Sequence, residues 1–337
     1  MNISSVLETL LEHRDLGETG AAELLRELID PEVPDAAKGA ALVALRAKGE
    51  TAAELRAMAM ALRDQATAVD LPSWNCRVDT CGTGGDGAGS VNISTATALV
   101  VAAMDIPVVK HGNRSVSSRS GSADVIEALG IGMATSPQEV EAALAGTGFA
   151  FLFAPAFHPA MKAVSPVRKA LGIRTVFNLL GPLVNPAAPT HQLVGAYSPR
   201  AARLLAGALA GMGLERAFVV HGAPAWDEAT PVGPFLLLDV LEGGVQERMV
   251  DPSEFGISRC SPDDLQGGDP SENARLLEQM LQGEPGPRRD AVVLNAALVL
   301  QLVHDLAPRE AADRVTDTLE SGRAAILLAR LKARRAA

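Results

Sequence analysis

The stretch Asp79-Thr80-Cys81-Gly82-Thr83-Gly84-Gly85-Asp86-Gly87-Ala88-Gly89-Ser90 decides how this chain is read. Five glycines fall between Gly82 and Gly89, too many for regular structure at a tolerable entropy cost. A strand-like run, Arg77–Asp79, leads in, and Asn92-Ile93-Ser94-Thr95 opens an alanine-rich helical run. Strand, glycine loop and helix in that order let backbone N–H groups and a helix N-terminus cradle an anion. Ser90, Ser94 and Thr95 add hydroxyls that also serve a metal. The loop is not a Walker A, since no Gly-Lys-Ser/Thr ends it. It matches the dinucleotide fingerprint poorly, because Asp86 sits inside it rather than about 20 residues on. A tight glycine turn with no ligand is the competing reading of its composition.

Working outward, strand-like pieces recur at Pro107–Lys110, Gly148–Ala154, Leu193–Tyr197 and Ala217–His221, with helical stretches between them. Ser136-Pro137-Gln138-Glu139 and Ser198-Pro199 are helix starts, with a capping serine and proline at the first helical position. Strand–helix alternation predicts an α/β fold with a central, mainly parallel sheet. Phe235–Leu241 and Val245–Val250, joined by Glu242-Gly243-Gly244, read as a hairpin. A helical, proline-punctuated insertion occupies about 157–189, and helices return from Ser271 onward. Before Pro72 only helices are predicted: one with a capping-box spacing at Ser5 and Glu8, then Ala21–Ile29, Ala36–Lys48 and Ala52–Ala68, with Gly49 as a stop.

A second polar segment follows the strand at Pro107–Val109. Lys110-His111-Gly112-Asn113-Arg114-Ser115-Val116-Ser117-Ser118-Arg119-Ser120-Gly121-Ser122 carries three cations and five serines, with almost nothing to bury. It reads as a solvated loop unless it shares the carboxyl edge of the sheet with the glycine loop, where open α/β sheets bind ligands. Two donor-rich loops converging there suit a polyanion.

The 337 residues include 30 Lys plus Arg against 40 Asp plus Glu, a net charge of −10. That argues against a general nucleic-acid or anionic-membrane binder, and 3% aromatics argues against stacking platforms. Three cysteines without a CxxC predict no disulfide framework and a reducing, cytoplasmic setting. The start MNISSVLETLLEHRDLG is not a signal peptide, and no apolar run reaches the ~20 residues that span a bilayer.

Asp79–Thr95 with GTGGDG and NIST, KHGNRSVSSRSGSADVIEALG (110–130), RKALGIRTVFNLLGPLVNP (168–186) and DAVVLNA (290–296) resemble the anthranilate phosphoribosyltransferase family, and the likeness runs over nearly the whole chain. It implies a large α/β domain, 73–337, and a smaller all-helical domain, 1–72 with the insertion at about 157–189. The active site would lie in the cleft between them. It also implies transfer of the 5-phosphoribosyl group of phosphoribosyl pyrophosphate (PRPP) to the amine of anthranilate, with Mg2+ and release of pyrophosphate, in tryptophan biosynthesis. By matching motif, Gly82, Gly85, Asp86, Ser90, Asn92, Ile93, Ser94 and Thr95 would hold PRPP. Lys110, His111, Gly112, Asn113, Arg114, Ser115, Val116, Ser117, Ser118 and Ser122 would close over its phosphates. Gly82, Asn113, His158 and Arg168 would meet anthranilate. Ser94, Asp227 and Glu228 would hold magnesium.

Taken alone, Asp227-Glu228 is a solvated surface pair; the flanking His221-Gly222 and Gly233-Pro234 fit the family frame and reverse that. Ala225-Trp226 departs from the family's more usual Gly-Leu. His111 is either a late proton acceptor or a hydrogen-bond donor to phosphate, and no general base is required. The resemblance implies a homodimer through the helical domain, where Leu7, Leu10 and Leu11 equally suit an internal core. Competing readings are a pyrimidine nucleoside phosphorylase, a nucleic-acid-binding paralogue and a dimerisation module.

Overall fold

The computed structural model describes residues 3–115, 119–242 and 244–336. Four amphipathic helices come first: α1 (Ile3–Leu11), α2 (Gly17–Ile29), α3 (Asp35–Lys48) and α4 (Ala52–Asp64). Ser5 lies inside α1, not at its cap, and α4 stops at Asp64 rather than Ala68. The capping box that does form is Thr51 with Glu54, at the start of α4. Glu54 also accepts from the Leu16 N–H at 2.8 Å and from Lys48 Nζ at 2.6 Å. The side chains of Lys48 and Glu54 are only 2% and 1% exposed. Burying both charges is tolerable because each is hydrogen-bonded and paired. Gly49 ends α3 at φ 92°, its N–H bonded to the Leu45 carbonyl.

The sheet elements then alternate with helices: β1 (Val78–Gly82), α5 (Ile93–Ala102), β2 (Val108–Gly112), α6 (Ser122–Ala128), α7 (Pro137–Thr147) and β3 (Phe149–Phe153). The insertion supplies α8 (Ala154–Phe157), α9 (Ser165–Leu171) and α10 (Phe177–Leu180), with 3-10 turns at Pro159–Ala163 and Gly181–Leu183. Next come β4 (His191–Gly195), α11 (Pro199–Leu209), β5 (Arg216–His221), β6 (Phe235–Leu241) and β7 (Gly244–Val250). Helices α12 (Pro270–Leu281), α13 (Pro287–His304), α14 (Pro308–Glu320) and α15 (Arg323–Ala336) follow. Ser136 and Ser198 cap α7 and α11, as the serine–proline starts predict.

The strand order is β3-β2-β1-β4-β5-β6-β7. The first five are parallel and the last two antiparallel, so the mainly parallel sheet and the hairpin both form. The chain builds away from β1 on one side as β2 and β3, then returns to its other side as β4. That reversal at β1 opens the crevice at the carboxyl ends of the strands. Two sequence expectations shift. The fourth strand is His191–Gly195 rather than Leu193–Tyr197, and Asp79 to Gly82 belong to β1, so the glycine loop proper starts at Thr83.

Apolar alternation sorts the sheet into two cores. Val78, Leu193, Phe218 and Leu237 pack against α5 and against α13, which is buried continuously from Ala291 to Leu302. Val194, Val219 and Leu238 face α11, and the same core runs on through Leu45, Leu55 and Met58 of the helical bundle and Val164, Val167 and Phe177 of the insertion. The insertion thus packs with the N-terminal helices although about 90 residues separate them in sequence. Among the described residues no single helix is long and apolar enough to cross a membrane; α13 and α14 pass that test only together and are bent by 116°.

Candidate active site

A cleft of ≈ 500 Å³ opens where the glycine loop, the segment after β2, the insertion and the loop after β5 meet. Gly84, Gly85, Gly87 and Gly89 all have φ between 65° and 74°, a left-handed conformation that glycine adopts without strain. Asp86 lines the cleft with both carboxylate oxygens engaged by backbone. Its Oδ1 accepts from the Ala88 N–H at 3.1 Å and its Oδ2 from the Asp227 N–H at 3.2 Å, so it holds the loop and ties it to the acid pair.

The segment bearing Asp227 and Glu228 lies across the ends of three strands. At Gly195 a Cβ would come within 1.5 Å of the Asp227 carbonyl oxygen, and at Gly222 within 1.9 Å of the Glu228 carbonyl oxygen. Only glycine fits at either place. Asp227 Oδ2 accepts from the Gly84 N–H at 2.6 Å, and Glu228 Oε1 from the Ser94 N–H at 3.1 Å. Trp226, the departure from the family pattern, is buried in the main core, and its backbone pairs with Gly222.

Beneath the acid pair Lys110 is 2% exposed and donates to the Thr80 carbonyl and, at 3.4 Å, to Ser94 Oγ. Buried Asp79 lies behind it, accepting from Asn185 Nδ2 at 2.9 Å. Burial pushes both Asp227 and Glu228 well above the usual carboxylate range, and neighbouring carboxylates (Asp86 for one, Asp227 for the other) push further. Two buried carboxylates side by side want a cation. No group of three or more His, Cys, Asp or Glu could enclose one among the described residues. The donors are oxygens only, which fits a hard ion that completes its shell with phosphate and water.

On the facing wall His111 and His158 meet edge to face, their ring centroids 5.1 Å apart. His111 Nε2 has no hydrogen-bond partner among the described residues, and His158 has only the Val184 backbone near its ring. Burial, reinforced by His158, drives His111 down to about 3, and burial drives His158 down to about 4. Arg168, on α9, stacks its guanidinium 5.2 Å from the Phe177 ring centroid and has no ion pair among the described residues. Burial lowers its pKa.

Most residues singled out from the sequence line this cleft: Gly82, Gly85, Asp86, Ser90, Asn92, Ser94, Lys110 to Ser115, Ser122, His158, Arg168, Asp227 and Glu228. Ile93 and Thr95 do not. Both are fully buried, and their N–H groups are spent on the Val91 and Asn92 carbonyls, because the first turn of α5 points its side chains into the core. Arg114 commits its guanidinium to Asp124 at 3.0 Å and Glu127 at 2.7 Å. Val116, Ser117 and Ser118 lie outside the described residues. The sequence reading misses Asn273 and Lys162, which also line the cleft. Asn273 reaches it from α12, its Nδ2 donating to Asn92 Oδ1 at 2.8 Å. A polar residue on an amphipathic helix gives no local signal of that.

A helical bundle packed beside an α/β domain with a donor-lined cleft is the setting, and the chain matches the glycosyl transferase class in both parts. Residues 75–325 match the glycosyl transferase family a/b domain, and residues 4–66 match that family's helical bundle domain. The chain is 50% identical over 301 residues to the anthranilate phosphoribosyltransferase of Synechococcus sp. (strain JA-3-3Ab), covering 88% of this chain and 87% of that one. With that of Desulforudis audaxviator it shares 46% identity over 331 residues, covering 98% and 95%. The crystal structure of the Thermus thermophilus enzyme superposes with a TM-score of 0.91 at 41% identity, covering 98% of this chain and 99% of that one. The Saccharomyces cerevisiae enzyme in complex with PRPP and Mg also gives 0.91, at 29% identity, covering 99% and 98%. The chain belongs to the anthranilate phosphoribosyltransferase family.

The two depressed histidines set a pH dependence. Well above pH 6.5 neither folded nor unfolded chain protonates them, and their contribution to stability is fully present. As pH falls from there toward about 4 and about 3, the unfolded chain binds protons that the folded one refuses, so stability is lost. Between pH 6.5 and 5.5 each histidine accounts for about 1 kcal/mol of that loss. A His111→Gln/His158→Gln variant should therefore show a flatter fall than wild type in urea midpoints over this range.

Proposed function

We propose that this chain transfers the 5-phosphoribosyl group of PRPP to the amine of anthranilate in tryptophan biosynthesis, with Mg2+ bound at Asp227, Glu228 and Ser94. The observation that carries this is the pairing, in one cleft, of an anion cradle on one wall with two neutral imidazoles and a guanidinium that has no ion pair among the described residues on the other. A glycosyl donor rich in phosphate suits the first wall, and a planar aromatic carboxylate suits the second. The nearest rival, a pyrimidine nucleoside phosphorylase, has no use for the acid pair.

Among the residues on the sheet side, Gly82, Gly85, Ser90, Asn92 and Ser94 face the donor, and Asn113, Ser115 and Ser122 close on it from the segment after β2. Ile93 and Thr95 support this wall from the core rather than touching the ligand. Lys110 places a positive charge at the floor of the site, almost wholly buried. Arg168 orients the anthranilate carboxylate, and Asn113 lies where it meets both substrates. When bound, the metal neutralises charge on the departing pyrophosphate.

The anthranilate nitrogen carries its lone pair at neutral pH. Attack at C1 forms the C–N bond as the C1–O bond to pyrophosphate breaks, through an oxocarbenium-like sugar. The nitrogen then sheds a proton, for which the neutral His111 offers an unpartnered Nε2. The chain's contribution is mostly positioning, charge and exclusion of water.

The division into a helical lobe (1–72 with about 157–189) and an α/β lobe (73–337) belongs to the same reading, because the cleft divides along that line. So does a homodimer through the helical lobe. Leu11 on α1 and Val43 on α3 stand exposed there, at 65% and 43%, whereas Leu10 is core and Leu7 half-buried. A reducing cytoplasm suits three free thiols.

Purified protein given PRPP, Mg2+ and anthranilate should quench anthranilate fluorescence stoichiometrically; folded protein that leaves anthranilate untouched would refute the reading. Arg168→Ala should raise KM for anthranilate at least tenfold while KM for PRPP moves far less. Asp227→Asn/Glu228→Gln should cut kcat and shift the Mg2+ titration of rate to higher concentration, and an unchanged titration would remove the metal from this pair.

A further inference from the structure

The roles above leave out one cation that touches the glycine loop. Arg174 lies in the turn between α9 and α10. Its Nη1 donates to the Gly85 carbonyl oxygen at 3.1 Å, and its guanidinium carbon sits 4.3 Å from the Tyr197 ring centroid. Tyr197 in turn donates its N–H to Thr83 Oγ1 at 3.1 Å, and the Thr83 N–H donates to the Gly195 carbonyl at 3.0 Å. From the helical bundle, Arg46 on α3 donates to the Arg174 carbonyl. One guanidinium therefore joins the insertion, the loop and the turn after β4, and its own backbone is gripped by the N-terminal helices.

The geometry has a directional consequence. Gly85 and Asp86 line the cleft, and Arg174 does not. In a trans peptide the carbonyl and the next N–H point in opposite directions. Holding the Gly85 carbonyl from outside aims the Asp86 N–H toward the cleft side. Gly84, Gly85 and Gly87 all have left-handed φ, so peptide planes between them turn over at little steric cost. A charge-assisted hydrogen bond and a cation–π contact acting together supply the restraint that glycine itself lacks.

We propose that Arg174 is a positioning residue that presets the Gly85–Asp86 peptide for the phosphates of the sugar donor. This rests on the proposed reading of the site as a PRPP cradle. Arg174 touches no substrate; it acts through the loop. Its loss should weaken the donor and leave the aromatic acceptor alone, the reverse of the pattern expected at Arg168.

The test is calorimetric binding of PRPP with Mg2+, alongside steady-state kinetics, for wild type, Arg174→Ala, Arg174→Lys, Tyr197→Phe and Tyr197→Ala. Arg174→Ala should weaken PRPP about tenfold in both Kd and KM, with KM for anthranilate within twofold of wild type. Added guanidinium ion at millimolar concentration should recover part of the lost affinity. Tyr197→Phe keeps the ring and should match wild type, and Tyr197→Ala should reproduce part of the defect. Equal changes in both KM values, or unchanged PRPP binding by folded Arg174→Ala, would overturn the assignment. Should Arg174→Ala fail to fold, the comparison of Arg174→Lys with Tyr197→Ala decides by the same criterion. Wild type that binds PRPP yet never consumes anthranilate would refute the proposed reaction while leaving the binding comparison to judge Arg174; wild type that binds no PRPP overturns both.

Discussion

The site exists because two glycines leave room for an acidic segment to lie across the sheet. A methyl group at Gly195 or Gly222 would collide with the main chain at Asp227 or Glu228. Backbone cannot retreat from such a collision as a flexible side chain can. The absence of those two Cβ atoms lets residues from the loop after β5 reach the glycine loop after β1 and the first turn of α5. The hydrogen bonds from Gly84 and Ser94 then fix both carboxylates in place. Remove that closeness and the acids become the ordinary surface pair that their sequence alone suggests.

The charge arrangement follows from the same crowding. Asp79, Asp227 and Glu228 gather around one buried lysine, Lys110, whose pKa burial lowers and those acids raise, and Asp86 adjoins Asp227. One positive charge does not balance them, and burial disfavours every unbalanced one. The cluster is therefore built to receive further positive charge, while on the opposite wall desolvation keeps the two imidazoles neutral beside the Arg168 guanidinium. A polyanion accompanied by a metal ion and an aromatic acceptor find distinct environments within one cleft.

Much of this is legible in the sequence, because it is encoded locally. The strands at Pro107–Lys110 and Ala217–His221, the hairpin and the serine–proline helix starts are short-range patterns, and they form within a residue or two of where they are expected. The helical nature of the first 64 residues is equally plain, although the capping-box spacing at Ser5 and Glu8 makes no cap while the same spacing at Thr51 and Glu54 does. What stays hidden depends on distant neighbours. Ile93 and Thr95 sit in a motif full of ligand-holding types, yet helix phase turns them into the core. Arg114 lines the cleft, and its pairing with Asp124 and Glu127, one helix later, is not announced by its own motif. Asn273 joins the cleft through a contact with Asn92 that spans 181 residues. No local pattern announces such a pairing.

Trp226 is one of only two tryptophans in the chain. It is buried immediately before the acid pair, with its backbone bonded to Gly222. The other, Trp74, packs at a separate, smaller apolar cluster near Leu71 and Phe157. Trp226 therefore stands as a built-in optical reporter at the root of the acidic segment, positioned for its emission to register a change there without any attached dye.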